Sequence, residues 1–88
     1  SDWPAYNLSG TLSAGNVYTV GTVPQNELWL ITTAATQTTS SCPQLLLNDT
    51  PTVCYGSMVV LPNTTIKLKN PTGSSGSFFI NYLRLKYS

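Results

Sequence analysis

The last segment of the chain, SFFINYLRLKYS (residues 77–88), decides how the sequence folds, because it reads as a strand with two apolar faces. Neighbouring side chains of a β-strand point to opposite faces of the sheet. One face of this segment carries Phe79, Asn81, Leu83, Leu85 and Tyr87, and the other carries Phe78, Ile80, Tyr82, Arg84 and Lys86. An outer strand of a small domain buries one face in its own core. The second apolar face therefore needs another partner.

Size and composition limit what the protein can be. Its 88 residues make a single domain, residues 1–88, with a single core. Only 8% of the residues are charged, against about a quarter in a typical soluble domain, while 41% are hydrophobic. Such a surface is typical of an extracellular protein, or of one that buries much of its surface against copies of itself. A net charge of +1 argues against nucleic acid as a partner.

The rest of the chain predicts an all-β fold. Thr, Val, Tyr and Ile are abundant, and Gly and Pro interrupt the apolar segments at short intervals. No apolar run exceeds four residues, the length of Leu28 to Ile31, which is far too short to span a membrane, since a span takes about 20 residues. Seven or eight short strands in a chain of this length imply a two-sheet antiparallel β-sandwich or a small barrel. The predicted strands cover residues 6–13, 17–23, 28–34, 44–47, 52–61, 64–70 and 77–87.

Three segments resemble recurrent units of one family. VYTVGTVPQNELWLIT (residues 17–32), VVLPNTTIKL (59–68) and FFINYLRLKY (78–87) are similar to strands of small jelly-roll modules in phage and archaeal-virus structural proteins. The resemblance covers residues 12–88, although Gln25-Asn26 stands where a small residue and Gly are commoner. It implies a small jelly roll that decorates a capsid, builds a spike or fibre, or forms a filament, and such modules seldom carry out catalysis.

Residues that perform catalysis are scarce. The chain has no His, which removes the usual general base and the commonest metal ligand. The three acids, Asp2, Glu27 and Asp49, lie far apart in expected turns or at the terminus. A glycosidase needs two carboxylates close together, and a calcium site needs several. We therefore expect a protein that is not an enzyme, with no catalytic residue, no cofactor and no metal.

The two cysteines, Cys42 and Cys54, are predicted to form a disulfide. A closed loop of this length stabilises a fold by about 3 kcal/mol. A four-residue turn at residues 48–51 would place Cys42 three residues beyond the partner of Cys54, whereas a five-residue loop at 46–50 would place the two cysteines opposite each other. Two buried thiols are the alternative.

Three sequons mark acceptors for N-glycosylation, at Asn7, Asn48 and Asn63. All three fall near strand ends or turns. Their number is close to what the content of Asn, Ser and Thr produces by chance, so they become sites only if the protein is secreted.

Both ends of the chain are predicted to mediate assembly. Residues 1–5 form a short arm whose Trp3 is expected to lie on a neighbouring subunit. If residues 71–76 join the last two strands as a hairpin, Leu68 pairs with Phe79. Alternation along the strands predicts a core of Leu8, Leu12, Trp29, Ile31, Ile66, Leu68, Leu83 and Leu85. The predicted interface consists of Trp3, Phe78, Ile80 and Tyr82. A β-bulge near Asn81 is the alternative, because it would move Phe78 and Ile80 into the core.

These observations favour a structural subunit that forms a homo-oligomer, or assembles with other subunits, on a virion surface or in an extracellular filament. A glycan- or receptor-binding β-sandwich module is the alternative, since sugars stack on exposed aromatic rings. Repeated apolar patches would favour assembly, and a row of exposed aromatic rings would favour glycan binding.

Overall fold

The computed structural model describes residues 3–36, 44–52 and 57–87. Every regular element in these residues is a β-strand, so the predicted all-β fold class is confirmed. Cys42 and Cys54 lie outside the described residues, and their disulfide stays a prediction. The strands are β1 (Ala5–Leu12), β2 (Val17–Thr22), β3 (Glu27–Thr36), β4 (Gln44–Leu47), β5 (Thr50–Pro51), β6 (Met58–Val60), β7 (Thr65–Lys69) and β8 (Gly76–Lys86).

The strands form two antiparallel four-stranded sheets. One has the order β1-β8-β3-β6 and the other the order β2-β7-β4-β5. Within these sheets the first strand pairs with the last, β2 with β7, β3 with β6, and β4 with β5. These four nested pairs are those of a long hairpin wrapped around a core, which is the topology of a jelly roll. The fold is therefore the small jelly-roll sandwich that the sequence predicts.

The core lies between the inner faces of the two sheets. Of the residues expected there, Leu12, Trp29, Ile31, Ile66 and Leu68 are buried, and Leu8 is half-buried against them. Gly10 allows close packing, because a Cβ at this position would lie 2.9 Å from a ring atom of Phe78. The complete buried hydrophobic set is Leu12, Val23, Trp29, Ile31, Leu45, Val60, Ile66, Leu68, Phe78, Ile80 and Tyr82.

The last strand shows that one sequence-based prediction is wrong. Phe78, Ile80 and Tyr82 are not an exposed stripe, because all three are buried in the core of their own chain. Leu83 and Leu85 are half-buried on the opposite face. The error comes from the assumed hairpin: β7 and β8 belong to different sheets, and β8 pairs with β1 and β3 instead.

A bulge in β8 does not cause this arrangement. The pairing of β8 with β1 is continuous, and the shift in register lies in β3, between Ile31 and Thr33. There the Thr32 hydroxyl donates a hydrogen bond to the carbonyl oxygen of Asn81, at 3.1 Å. The face of β8 that enters the core is thus set by its neighbours in the sheet.

The β4–β5 hairpin is tighter than predicted. Leu47 pairs with Thr50, so the turn holds two residues rather than the four at 48–51. Asn48 and Asp49 both have positive φ, at 50° and 64°, as a type I′ turn requires. Asn and Asp tolerate this backbone region better than other residues with side chains.

Asn70, a fully buried polar residue, ties the end of β7 to the connections around it. Its Nδ2 donates to the carbonyl oxygens of Leu12 (3.1 Å) and Ser74 (2.9 Å), and its Oδ1 accepts from the backbone N–H of Thr72 (2.9 Å). Because every polar atom of this side chain has a partner, its burial is stabilising.

Candidate functional site

The outer face of the β1-β8-β3-β6 sheet is the largest candidate surface. We use "outer face" for the side of this sheet that points away from the second sheet. Alternation along the strands places half of their side chains there. They are Ala5, Asn7, Ser9 and Thr11 of β1, Phe79, Asn81, Leu83 and Leu85 of β8, Leu28, Leu30 and Thr33 of β3, and Val59 of β6.

Leucines from two neighbouring strands meet near one end of this face. Leu30 pairs with Leu83, and Leu28 pairs with Leu85. Val59 extends the first of these rows on the β6 side and is 54% exposed. We call Leu28, Leu30, Leu83, Leu85 and Val59 the leucine patch. Its four leucines are each half-buried.

Charge is absent from the outer face, among the residues that the structure describes. Glu27, Arg84 and Lys86 lie on the inner face of the same sheet, at an end that the shorter second sheet leaves open. Lys67 and Lys69 lie on the second sheet, where Lys67 pairs with Asp49 at 2.7 Å. A sheet face with apolar side chains and no charge is poorly suited to water and well suited to contact with protein.

The open end of the inner face forms a second candidate, a groove of about 320 Å³. Its walls come from β1, β3 and β8, which contribute Tyr6, Glu27, Arg84 and Lys86, together with Pro4 just before β1. Tyr6 is 39% exposed. We call this the Tyr6 groove.

Aromatic rings stack beneath the groove. Tyr82 stacks on Tyr6 at 5.5 Å and on Trp29 at 4.9 Å between ring centroids. The Arg84 guanidinium lies 5.1 Å from the Tyr6 ring centroid and 4.8 Å from that of Trp29. Cation–π contacts of this kind hold an arginine in one orientation. Burial among these rings raises the pKa of the Tyr82 hydroxyl.

Arg84 also forms a paired interaction with the buried carboxylate of Glu27. Its Nε donates to Oε1 at 2.7 Å and its Nη2 donates to Oε2 at 2.9 Å, while the Trp29 indole N–H donates to Oε1 at 2.8 Å. The bond from Arg84 lowers the pKa of Glu27, with the Trp29 bond adding to the effect and burial opposing it. The same bond raises the pKa of Arg84. A carboxylate held ionised in this way is a weak base, so the groove is better suited to binding than to proton transfer.

The residues predicted from the sequence are distributed over several regions. Trp3 precedes β1 and is 38% exposed, and its role in assembly stays a prediction. The three sequon residues are exposed: Asn7 on β1, Asn48 in the β4–β5 turn, and Asn63 in the turn before β7. Their modification also stays a prediction.

Neither the leucine patch nor the Tyr6 groove was predicted from the sequence. A signal for the patch was present, since the run Leu28 to Ile31 puts apolar side chains on both faces of one strand. No sequence signal marked Glu27 and Arg84 as partners, because 57 positions separate them and only the pairing of β3 with β8 brings them together.

In the part of the chain that the structure describes, no three His, Cys, Asp or Glu side chains lie together as a metal site would need. Across those same residues, no helix has the length and hydrophobicity to cross a membrane. No protein-family model matches the chain, and neither a curated protein nor a solved structure matches it. Nothing in these comparisons links it to the virus modules that its sequence resembles.

Proposed function

We propose that this protein is a non-enzymatic structural subunit that assembles with copies of itself through its sheet surfaces. The observation that carries the proposal is the uncharged outer face with its leucine patch. The setting we propose is a virion surface or an extracellular filament. This part of the proposal rests on the resemblance of three segments to virus jelly-roll modules and on the low charge of the whole chain.

The area of the outer face supports contact with a second copy. Its strands hold 8, 11, 10 and 3 residues. At about 3.3 Å along a strand and about 4.8 Å between strands, they cover about 500 Å². Two such faces in contact bury about 1,000 Å², which is the area at which specific protein interfaces begin.

The lack of charge favours a copy of the same chain as the partner. Two identical charged faces repel each other, whereas an uncharged face meets its own copy without burying a charge. An acidic or basic partner would gain nothing from this surface, because the described residues offer it no opposite charge there. Closed homo-oligomers are also the commonest protein assemblies.

The test places a charge in the leucine patch. Leu83→Glu and Val59→Glu each put like charges into a contact between copies, so we expect sedimentation to give a smaller assembly than the wild type at the same concentration. Val17→Glu is the control: Val17 is exposed on the other sheet and pairs with Lys69, which attracts the new carboxylate.

Circular dichroism establishes that each variant is folded. Because Leu83 is half-buried, its substitution by Glu can unfold the chain, so Val59→Glu tests the same patch at an exposed position. A wild-type protein that sediments at 9.5 kDa up to its solubility limit would overturn the proposal. Variants of the patch that keep the wild-type mass would rule out the outer face as the contact.

Binding of a glycan or a receptor is the second candidate function, and the Tyr6 groove favours it. An exposed ring beside a guanidinium and an ammonium suits a sugar that carries an acidic group. We expect a titration followed by NMR to shift the signals of the groove with glucuronate more than with glucose. Tyr6→Ala should remove the shifts, and Phe79→Ala, a ring of matched exposure at 38% on the outer face, should retain them. If neither sugar shifts the signals of the groove, glycan binding at the Tyr6 groove is ruled out.

A further inference from the structure

Among the residues that the structure describes, the first strand is an open sheet edge without the usual protection. β1 and the three-residue β6 are the two edges of their sheet. Natural edge strands are kept from pairing with other chains by charge, Pro, a bulge or shortness. β1 has eight residues, AYNLSGTL, with no charge and no Pro, and its register with β8 is unbroken.

The register determines which backbone groups of β1 face outward. The Arg84 N–H donates to the Pro4 carbonyl oxygen at 3.0 Å, directly opposite, so this is a hydrogen-bonded pair. Such pairs alternate along an antiparallel ladder. Tyr6, Leu8, Gly10 and Leu12 therefore bond to β8. The N–H and C=O groups that point to the open edge belong to Ala5, Asn7, Ser9 and Thr11.

We propose that two copies of the chain pair through this edge, β1 against β1, antiparallel about a two-fold axis at Leu8. This inference rests on the proposed self-assembly and adds a second contact, at the sheet edge, to the contact through the outer face. The two four-stranded sheets then become one continuous sheet of two copies, and their outer faces join into a single uncharged surface.

The edge is complementary to its own copy in one register above all others. With the axis at Leu8, Ala5 faces the partner's Thr11 and Asn7 faces the partner's Ser9, and the same pairs recur by symmetry. All four facing pairs then consist of residues whose backbone groups point outward, and each exchanges two hydrogen bonds. A shift by two residues leaves one pair fewer, and a shift by one opposes side chains from different faces.

The side chains agree with this register. On the outer face the facing residues are small or polar, and Asn7 can hydrogen-bond the partner's Ser9. On the inner face Leu8 meets its own copy, and Tyr6 lies opposite the partner's Gly10, against which the Phe78 ring of that copy packs. Trp3 falls beside the partner's Ser13, which would place the N-terminal arm on a neighbouring subunit.

Amide hydrogen exchange tests the edge directly. In the Leu83→Glu variant, which removes the outer-face contact, we expect exchange at Ala5, Asn7, Ser9 and Thr11 to slow as protein concentration rises. The amides of Tyr6, Leu8 and Gly10, bonded to β8, should be protected at every concentration. Outward amides that exchange at one rate at all concentrations would overturn the proposal.

A proline substitution provides the matched variant. Ser9→Pro removes an N–H that the fold does not use, since a proline is tolerated where the N–H of an edge strand faces solvent. In the Leu83→Glu background it should halve the mass, giving the 9.5 kDa monomer, while Ser9→Ala keeps the N–H and the dimer. Retained protection at Tyr6 and Leu8 shows that the proline variant is folded; if it unfolds, the exchange experiment alone decides.

The two proposals fail in different ways. If the wild type assembles but the outward amides exchange freely, the edge is not the contact and self-assembly stands. If the wild type is monomeric at all concentrations, both fall.

Discussion

Single residues in this sandwich carry well-defined energetic roles, and Asn70 is the clearest. Its Nδ2 group faces the carbonyl oxygens of Leu12 and Ser74. Asn70→Asp would replace this donor by an oxygen that repels both. We expect a loss of about 3 kcal/mol or more in the free energy of unfolding, measured by denaturant titration.

Asn63→Asp is the control for that experiment, because Asn63 is exposed and Asp tolerates its positive φ of 64°. An equal effect of both substitutions would contradict the role given to Asn70. The sequence contained no sign of this role beyond the turn residues that follow position 70.

Glu27 makes stability depend on pH in the acid range. Because Arg84 lowers its folded pKa below the ordinary 4.5, its contribution is present above that value and is lost as the pH falls through the folded pKa. Glu27→Gln should lower the melting temperature at pH 7, and the difference from the wild type should shrink below about pH 4.

The chain has three acidic side chains and no His, so few other groups contribute there. Asp49→Asn is the control, since the Asp49 carboxylate is mostly exposed and its bond to Lys67 contributes little. If the melting temperature of Glu27→Gln falls with acid as much as that of the wild type, this account is contradicted.

At the scale of elements, the two faces of β8 can be separated by substitution at neighbouring positions. Ile80 is fully buried, whereas Phe79 is 38% exposed on the outer face. Ile80→Asp puts a charge into the core and should leave the protein unfolded at room temperature by circular dichroism. Phe79→Asp should fold, with a melting temperature within a few degrees of the wild type. The reverse result would restore the stripe predicted from the sequence.

The strands could largely be predicted from the sequence, but their partners could not. Alternation placed β1, β3 and β7 to within two residues, and it identified Leu12, Trp29, Ile31, Ile66 and Leu68 as core. It could not choose between the faces of β8, since both are apolar. That choice depends on pairing with β1 and β3, which are distant in the chain, and a strand that slips or turns by one residue exchanges its two faces.

The same limit applies to the candidate sites. The Tyr6 groove combines residues from three strands, and the leucine patch combines residues from β3, β6 and β8. Local sequence determines which side chains share a face of one strand. Only the strand order determines which strands lie side by side, and this order is set by the packing of the whole core.

At the scale of the whole molecule, β8 lies between β1 and β3 and holds their sheet together. A chain that ends at residue 75 lacks β8, and β1 then has no partner strand. We expect the truncated chain to lack the strand signal in circular dichroism. Adding a synthetic peptide of residues 76–88 should restore that signal, while a scrambled peptide should not. A folded truncated chain would show that the second sheet is stable alone.

This central position also governs the order in which the protein can be made. Synthesis runs from the N-terminus, so β1 and β3 exist before the strand that joins them. Because Ala5 pairs with Leu83, the sheet closes only once β8 has been synthesised. Until then the nascent chain has unpaired strands, and the β8 of another chain can fill the gap in place of its own. The sheet therefore cannot close before β8 is made, and crowded synthesis of several copies favours exchange of β8.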